Sequence, residues 1–314
     1  MRCTRRSPMR GAMKFGAIDV GSNSVRCLAV SSRGGVLEYI ASGAWITRLT
    51  EGIGSGDYEV RPEALGRSAA AVREARSLLD RTGTGPENMV FFATDSLRSA
   101  VNRSKAEAEL ESASGLHLRI LDSGKEAALS RAGALLGIKD ADGVFDLGGG
   151  SLEVSGDDGS VSVPAGAVRM RARFGEDRAA IRGEVLSLLS KGFPDPVRCL
   201  AGVGGTSSTA VMMLKEIPVS RYHPAMIHGH KVTAADLEAL CRGISGMPME
   251  DRRLVRGLEP GRADIIVPGI VVIRTLLEVM HLNEYTHSET DLLWAMCAET
   301  AATQGFESSA AKMR

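Results

Sequence analysis

Four short loops rich in glycine, serine or threonine hold the residues of this chain that are best suited to bind an anion. They are GSNS at 21–24, ATDSLR at 93–98, GGGS at 148–151 and GVGGTSS at 202–208. Each follows an apolar run that predicts a β-strand, and open α/β sheets bind ligands at the carboxyl ends of their strands. Glycine lets consecutive backbone N–H groups turn towards one anion and hydroxyl groups add donors, so these loops are typical of phosphate sites.

Two aspartates lie two positions before the first glycine of a loop, Asp19 before GSNS and Asp146 before GGGS. Carboxylate oxygens at such a place suit Mg²⁺, held directly or through water beside a bound phosphate. One Asp-x-Gly turn alone is common in proteins, whereas a matched pair with a third glycine loop is a sharper signal. The candidate phosphate-binding residues are Gly21, Ser22, Asn23, Ser24, Gly148, Gly149, Gly150, Ser151, Gly204, Gly205 and Thr206.

The two Asp-x-Gly loops belong to a repeated segment. AIDVGSNSVRCLAV at 17–30 matches VFDLGGGSLEVS at 144–155, and the two aspartates are 127 positions apart (146 − 19). Each copy predicts a strand, a tight glycine turn and a returning strand. A repeat at this distance indicates two domains of similar architecture with the ligand between them.

The remaining periodicity predicts an α/β protein. In the first half we expect three antiparallel strands. They are followed by a helix at 62–83, a strand at 89–93, a polar helix at 96–114, a strand at 117–121 and a helix at 125–136. In the second half, the apolar run at 265–267 predicts a strand. Pro268 separates this strand from an apolar helix that is either core or a dimer surface, and a last helix covers 290–303.

The overall composition excludes several classes of protein. The 314 residues carry 38 Lys+Arg and 38 Asp+Glu, so no bulk charge attracts nucleic acid or a membrane surface, and a polyanion must be bound by local geometry. The most apolar stretch, 265–273, is far shorter than the roughly 20 residues that span a bilayer. Five widely spaced cysteines without a Cys-x-x-Cys pair favour a reducing, cytoplasmic location over a disulfide framework or a zinc site.

Taken together, the motifs resemble those of the exopolyphosphatase and guanosine pentaphosphate phosphohydrolase (Ppx/GppA) family. AIDVGSNSVR is similar to the family's first phosphate motif and FDLGGGSLEV to its second. ATDSLRSAVN is similar to the family's arginine-bearing segment, and GVGGTSST to the glycine loop of its second domain. The likeness runs in order from about residue 14 to about residue 302.

This resemblance implies the duplicated actin-like ATPase fold of the ribonuclease H-like, sugar kinase, Hsp70 and actin superfamily, with a cleft between two domains. The expected divisions are a disordered tail at 1–13, an N-terminal actin-like domain at 14–122 and a C-terminal one at 123–288. Residues 289–314 are expected to form a C-terminal helix, which packs back on the first domain, and a tail.

The resemblance also implies a reaction, the hydrolysis of the terminal phosphoanhydride of polyphosphate or of the 5′ phosphate of pppGpp, with release of orthophosphate. The expected ligand is polyphosphate or guanosine penta- or tetraphosphate, the expected cofactor is Mg²⁺ with Mn²⁺ as a substitute, and a homodimer is compatible with the family. Arg98 is the expected phosphate clamp, because a guanidinium matches phosphate geometry. Glu126 is the expected base that activates water, Glu153 is the second carboxylate, and Asp19, Asp146 and Glu153 are the expected metal ligands.

The segment SGKEAALSRAGA at 123–134 departs from the family pattern. It is one residue shorter before the glutamate, Ala128 replaces an arginine, and Lys125 adds a positive charge that would lower the pKa of Glu126 or hold a phosphate. A catalytically weak sensor of polyphosphate or (p)ppGpp is therefore one alternative. A second alternative, an ATPase or kinase of the same superfamily, stays open because a shared fold does not fix function. A run of alternating arginines is either a basic surface for a polyphosphate chain or a solvated edge: Arg169, Arg171 and Arg173.

Overall fold

A computed structural model describes residues 12–51, 58–98, 100–190 and 197–313. Residues 1–11 of the expected N-terminal tail lie outside these ranges, and Met13 already belongs to the first strand. The described residues of the first half form, in chain order, β1 (Met13–Val20), β2 (Ser24–Arg33), β3 (Val36–Ile46), α1 (Pro62–Arg81), β4 (Met89–Ala93), α2 (Asp95–Arg98), α3 (Arg103–Ser114), β5 (Leu118–Ile120) and α4 (Ser123–Gly137).

The second half continues the alternation of strands and helices. Its described residues form β6 (Gly143–Leu147), β7 (Leu152–Gly156), β8 (Gly159–Val163), α5 (Ala167–Phe174), α6 (Arg178–Leu189), β9 (Leu200–Val203), α7 (Gly205–Leu214), β10 (Lys231–Thr233), α8 (Ala234–Ile244), α9 (Met249–Arg252), α10 (Ile266–Val279), β11 (Glu284–His287), α11 (Leu292–Thr303) and β12 (Ala310–Lys312). Among the described helices, none is long and apolar enough to cross a membrane.

Both halves build a sheet with the same strand order. The first sheet runs β3-β2-β1-β4-β5 with β12 beside β3, and the second runs β8-β7-β6-β9-β11 with β10 beside β11. In each, three antiparallel strands form a meander whose first strand pairs in parallel with the fourth. The duplicated actin-like α/β fold is therefore confirmed, and the sequence repeat corresponds to the hairpins β1–β2 and β6–β7.

The polar helix expected at 96–114 is divided into α2 and α3. Between them, Ala100 forms a parallel β-bridge with Tyr58. The side chain of Asn102 also accepts a hydrogen bond from the backbone N–H of Val60 (2.9 Å) and donates one to its carbonyl (2.9 Å). These contacts fix the segment between α2 and α3 against Tyr58 and Val60, so the two helices are separate.

Helices α4 and α11 pack against each other, and α11 covers one face of the first sheet. Its buried residues Leu292, Leu293 and Trp294 join a core cluster with residues of that sheet, among them Phe15. The helices approach so closely that a Cβ atom on Gly133 of α4 would lie 1.9 Å from the carbonyl oxygen of Asp291, at the start of α11. A glycine is therefore required where the two helices meet.

The strand expected at 265–267 is wrong, because α10 begins at Ile266 and includes Pro268. A proline in the first turn of a helix costs no intrahelical hydrogen bond, since the first N–H groups have no partner within the helix. The β-branched residues of this run are buried on nearly every side of α10, and they join the main core of the second half. This helix is therefore core rather than a dimer surface.

Candidate active site

The two hairpin turns predicted as phosphate loops face each other between the domains. Both have the same closure, because the N–H of Gly21 donates to the carbonyl of Ser24 (3.0 Å) and that of Gly148 to the carbonyl of Ser151 (3.1 Å). A Cβ atom on Gly149 would lie 3.0 Å from the Cβ of Ser22, so the turns are in close contact. The repeat thus places two sets of backbone donors on one space.

The third glycine loop joins the same space at the start of α7. Gly204 has a φ of +97°, a conformation that L side chains rarely adopt, and a Cβ there would lie 2.6 Å from the carbonyl oxygen of Leu147. No side chain caps the amino end of α7. Its first N–H groups and the helix dipole are therefore directed at the space between the domains, which favours an anion.

These loops enclose a cavity of about 90 Å³. Its wall contains all the predicted phosphate-binding residues of the three glycine loops, from Gly21 to Thr206, and the carboxylates Asp19, Glu126, Asp146 and Glu153. The cavity is much smaller than the roughly 300–1,000 Å³ of pockets for larger ligands. It suits one phosphoryl group with water.

Sequence reasoning missed Arg26 and Arg262, which also line the cavity. A signal existed for Arg26, because it lies 127 positions before Glu153, as Asp19 does before Asp146 (153 − 26 = 127). In the structure, Arg26 is the cross-strand partner of Asp19, and Glu153 that of Asp146. The repeat therefore carries an arginine in one copy and a carboxylate in the other.

Asp19 is buried, and only one of its two carboxylate oxygens has a hydrogen-bond partner. Its Oδ2 accepts hydrogen bonds from Nε (3.1 Å) and Nη2 (2.6 Å) of Arg26, whose Nη1 lies 2.5 Å from Oδ2 of Asp291. The Oδ1 atom of Asp19 has no hydrogen-bond partner. Burial raises the pKa of Asp19 although Arg26 lowers it in part. An unsatisfied buried carboxylate oxygen is costly, so this atom is suited to a cation.

Glu126 extends from the first turn of α4 to the other side of the cavity. Burial, followed by the charges of Glu153 and Asp146, raises the pKa of Glu126 to about 8, although Arg98 lowers it in part. Lys125 does not have the expected effect, because its Nζ lies 3.4 Å from Oε1 of Glu299, outside the cavity wall. Of the two effects that the sequence allows for Lys125, a lowered pKa of Glu126 is not observed, because burial and the neighbouring carboxylates raise it.

Arg98 lies behind Glu126 and is not among the described residues that line the cavity. Its Nη1 donates to the carbonyl of Leu121 (2.7 Å) and to Oε2 of Glu126 (3.2 Å). In this geometry Arg98 orients Glu126. Its role as a phosphate clamp stays a prediction.

Asp146 and Glu153 are fixed by hydroxyl donors. The hydroxyl of Ser130 donates to Oδ2 of Asp146, and that of Ser162 to Oε1 of Glu153 (2.9 Å). Burial raises the pKa of Asp146, although the Ser130 hydrogen bond lowers it in part.

The residues around the cavity can hold Mg²⁺ only if oxygens of the substrate complete its coordination. Among the described residues, no three His, Cys, Asp or Glu side chains converge to hold a metal, so Asp19, Asp146 and Glu153 do not form an all-protein cage. Mg²⁺ often binds through one or two carboxylates together with phosphate and water oxygens. The free Oδ1 of Asp19 and the carboxylate of Asp146 can supply the protein part of such a site.

The alternating arginines of α5 divide into two groups. Nε of Arg169 donates to the carbonyl of Gly150 (2.8 Å), so Arg169 supports the second phosphate loop. Arg171 and Arg173 form ion pairs with Glu176 and Glu184 on the surface. These contacts favour the solvated edge over a basic surface for a chain of phosphates.

The strand order and the facing hairpins define a protein of the duplicated actin-like class. A model of the Ppx/GppA phosphatase family matches residues 28–293. The chain belongs to this family, as its motifs indicated.

Similar proteins agree with this assignment. Exopolyphosphatase 2 of Mycobacterium tuberculosis is 29% identical over 311 residues, which cover 89% of this chain and 96% of that protein. The crystal structure of the Ppx/GppA family member of Aquifex aeolicus has a TM-score of 0.74 at 22% identity, covering 94% of this chain and 99% of that one. An exopolyphosphatase of Cytophaga hutchinsonii has a TM-score of 0.79 at 19% identity, covering 94% and 99%. At these identities the structures support the fold.

Proposed function

We propose that the protein is an exopolyphosphatase, which hydrolyses the terminal phosphoanhydride of inorganic polyphosphate and releases orthophosphate. The observation that carries the proposal is the small cavity in which three sets of backbone donors meet the buried carboxylate of Glu126. A relative that covers nearly the whole chain is named an exopolyphosphatase. The size of the cavity favours a terminal phosphoryl group, since an internal one would need room for chain on both sides.

In the proposed mechanism, the turns at 21–24 and 148–151 and the start of α7 bind the oxygens of the terminal phosphoryl group. These donors are fixed before the reaction, so they can stabilise charge as it develops in the transition state. Glu126, oriented by Arg98, accepts a proton from the attacking water. Asp19 and Asp146 would hold Mg²⁺ together with phosphate oxygens, and the ion would supply positive charge to offset the charge on those oxygens.

The sensor alternative rested on the altered segment around Lys125 and Ala128, and the positions of these residues weaken it. Both side chains are exposed, and neither belongs to the cavity wall. Glu126, between them, is 8% exposed and faces the cavity. Lys125 and Ala128 therefore lie on the outer side of α4 and leave the proposed base in place.

A second candidate substrate is the 5′ triphosphate of pppGpp, cleaved at its terminal phosphate by the same groups. The observation that favours it is a larger cavity beside the first, which shares Arg26, Gly204, Gly205 and Arg262 with it. A nucleotide whose terminal phosphate entered the small cavity would have this second space available for its nucleoside.

The experiment is phosphate release by purified protein from polyphosphate, pppGpp and ATP, each with Mg²⁺ and after addition of EDTA. We expect release from polyphosphate, its loss in EDTA and its recovery with Mg²⁺ or Mn²⁺. Lys125→Ala is the matched control next to the proposed base and should retain activity. Transfer of phosphate from ATP to an acceptor would favour the kinase alternative, and binding of polyphosphate without any release would favour the sensor.

A further inference from the structure

The first turn of α7, which completes the phosphate cavity, is fastened to the end of β11. Residues 204–206 line the cavity, whereas the hydroxyls of the next two residues bond to His287, the last residue of β11, and to Glu289. Oγ of Ser207 lies 2.8 Å from Nδ1 of His287, and Oγ of Ser208 donates to Oε1 of Glu289 (2.8 Å). The predicted phosphate-binding residues are therefore followed directly by residues that hold the helix in place.

The imidazole of His287 is held at both of its nitrogens. Besides the contact of Nδ1 with Ser207, its Nε2 lies 2.8 Å from Oε1 of Glu289. The side chain is fully buried, and neither His287 nor Ser207 is among the described residues that line either cavity. His287 therefore has no access to a substrate, and any effect that it has on the reaction must pass through α7.

Glu289 anchors this network. Its Oε1 accepts from Ser208 and His287, and its Oε2 accepts from the hydroxyl of Tyr222 (2.5 Å). Burial opposes ionisation, but the hydrogen bonds from His287, Tyr222 and Ser208 lower the pKa of Glu289 overall. The backbone N–H of Glu289 also donates to Nδ1 of His228 (3.1 Å). An ionised carboxylate can only accept, so Nε2 of His287 carries the proton of their hydrogen bond.

A buried polar network of this kind fixes one arrangement of the chain. Charged and polar groups lose hydration on burial, and well-packed apolar side chains of similar volume are often as stabilising. Both nitrogens of His287 and both carboxylate oxygens of Glu289 have partners, and a fully satisfied network rigidifies the groups that it joins. Here it joins the first turn of α7, whose N–H groups face the phosphate cavity.

Helix α10 contacts the same turn. A Cβ atom on Gly269 of α10 would lie 2.6 Å from Oγ1 of Thr206, so the two helices are in close contact there. Just before the turn, the carbonyl of Gly202 accepts a hydrogen bond from the backbone N–H of Ser288 (2.8 Å). The start of α7 is thus held by α10 and by the end of β11, and the side chains that hold it on β11 are those of the network.

We propose that His287 and Glu289 are positioning residues for the reaction, which hold the first turn of α7 through Ser207 and Ser208 so that its N–H groups meet the oxygens of the terminal phosphoryl group. The inference rests on the proposed function, because it assigns that group to the start of α7. Donors that stabilise developing charge must be fixed before the reaction, and a displacement of about 1 Å can lower a rate about 100-fold. Release of this turn should therefore lower kcat more than it raises KM, since the other two turns still bind the substrate.

The test compares His287→Phe with Tyr285→Phe in the full chain, by phosphate release from polyphosphate with Mg²⁺. Tyr285 is the matched control, because it is also buried and its hydroxyl accepts from the same Ser207 (3.0 Å), yet its loss leaves the contact between Ser207 and His287 in place. We expect kcat to fall about 10- to 100-fold in His287→Phe with KM changed less than about threefold, and kcat to stay within about threefold in Tyr285→Phe. Equal losses in the two variants would overturn the proposal, because a general loosening of the core would explain them.

A conservative variant provides a second comparison. The amide of asparagine can reach approximately the position of Nδ1, so His287→Asn keeps a polar partner for Ser207 and should recover kcat about threefold or more relative to His287→Phe. No recovery would contradict the proposal. If His287→Phe does not fold, Ser207→Ala takes its place, because it removes only the hydroxyl that joins α7 to His287. An unchanged kcat in Ser207→Ala would likewise contradict the proposal.

Binding of orthovanadate, a phosphate analogue that adopts a five-coordinate geometry, supplies a readout that does not depend on turnover. We expect calorimetry with Mg²⁺ to show about tenfold weaker binding in His287→Phe or Ser207→Ala than in the wild type, and unchanged binding in Tyr285→Phe. Equal affinity in all of these proteins would overturn the proposal. Failure of the proposed function would appear separately, as absence of phosphate release from polyphosphate by the wild type while the vanadate affinities still differ as expected.

Discussion

Substitution of Glu126 by glutamine separates its chemical role from its structural one. Glutamine has nearly the same shape and retains an oxygen that can accept the hydrogen bond from Arg98, now 3.2 Å long. It cannot accept a proton from water. General-base catalysis contributes roughly 100- to 10,000-fold to a rate, which is about 3–5 kcal/mol in the barrier. We therefore expect kcat for polyphosphate to fall within that range while polyphosphate binding is retained.

The stability of the same variant should depend on pH in a defined direction. Because the pKa of Glu126 is raised from 4.5 to about 8, the neutral carboxyl is favoured in the folded state. Its contribution to stability is fully present below pH 4.5 and is lost as the pH rises through about 8. Glutamine does not titrate, so the melting temperature of Glu126→Gln relative to the wild type should be higher at pH 9 than at pH 5.

The assays are orthophosphate release under saturating polyphosphate, calorimetric binding of polyphosphate, and thermal unfolding at the two pH values. A fall in kcat of less than tenfold would contradict this role, because another group must then accept the proton. Loss of binding together with activity would also contradict it, since Glu126 would then have a role in holding the phosphate or the fold. An unchanged difference in melting temperature between pH 5 and pH 9 would show that the carboxyl is not buried in the way described.

Two further predictions concern the pH dependence set by Glu126 and the contact between α4 and α11. The kcat/KM for polyphosphate should rise with pH as Glu126 loses its proton near pH 8. Arg98→Met should move this rise to higher pH, because Arg98 lowers the pKa of Glu126. A profile that is flat from pH 6 to 9 in both proteins would argue against Glu126 as the base. Gly133→Ala should lower the free energy of unfolding by about 1–3 kcal/mol or more, since its Cβ would overlap the backbone of Asp291, measured by urea unfolding. Gly183→Ala, in open space on α6, is the control and should stabilise the protein by about 0.5–1 kcal/mol. If the two substitutions changed the free energy of unfolding equally, the close contact between α4 and α11 would be contradicted.

The phosphate loops could be predicted from sequence because their geometry is local. A strand, a tight turn and a returning strand are specified within a few residues, and the repeat of Asp19 at Asp146 shows that two such units exist. The two turns lie against each other across the cleft, as the 3.0 Å approach of a Cβ on Gly149 to Ser22 shows. Periodicity was misleading at 265–267, where a β-branched run precedes Pro268, because a proline is tolerated in the first turn of a helix.

Other features depend on contacts between distant parts of the chain, and local patterns do not contain them. The sequence places Lys125 next to Glu126, but in the structure Lys125 pairs with Glu299 of α11. The pKa of Glu126 is raised by burial and by Glu153 and Asp146, which are distant in sequence. Arg26 is held by Asp291, 265 residues away. The second cavity is formed by β3, α7 and the segment around Tyr222, so no single stretch of sequence predicts it.

Terminal hydrolysis is tested most directly with polyphosphate in ¹⁸O-labelled water with Mg²⁺, followed by mass spectrometry of the orthophosphate and by sizing of the remaining chain. Attack of water on the terminal phosphorus predicts one ¹⁸O atom in each released orthophosphate and a chain that shortens from its ends. Absence of orthophosphate, or cleavage of the chain at internal positions, would show that the protein is not an exopolyphosphatase.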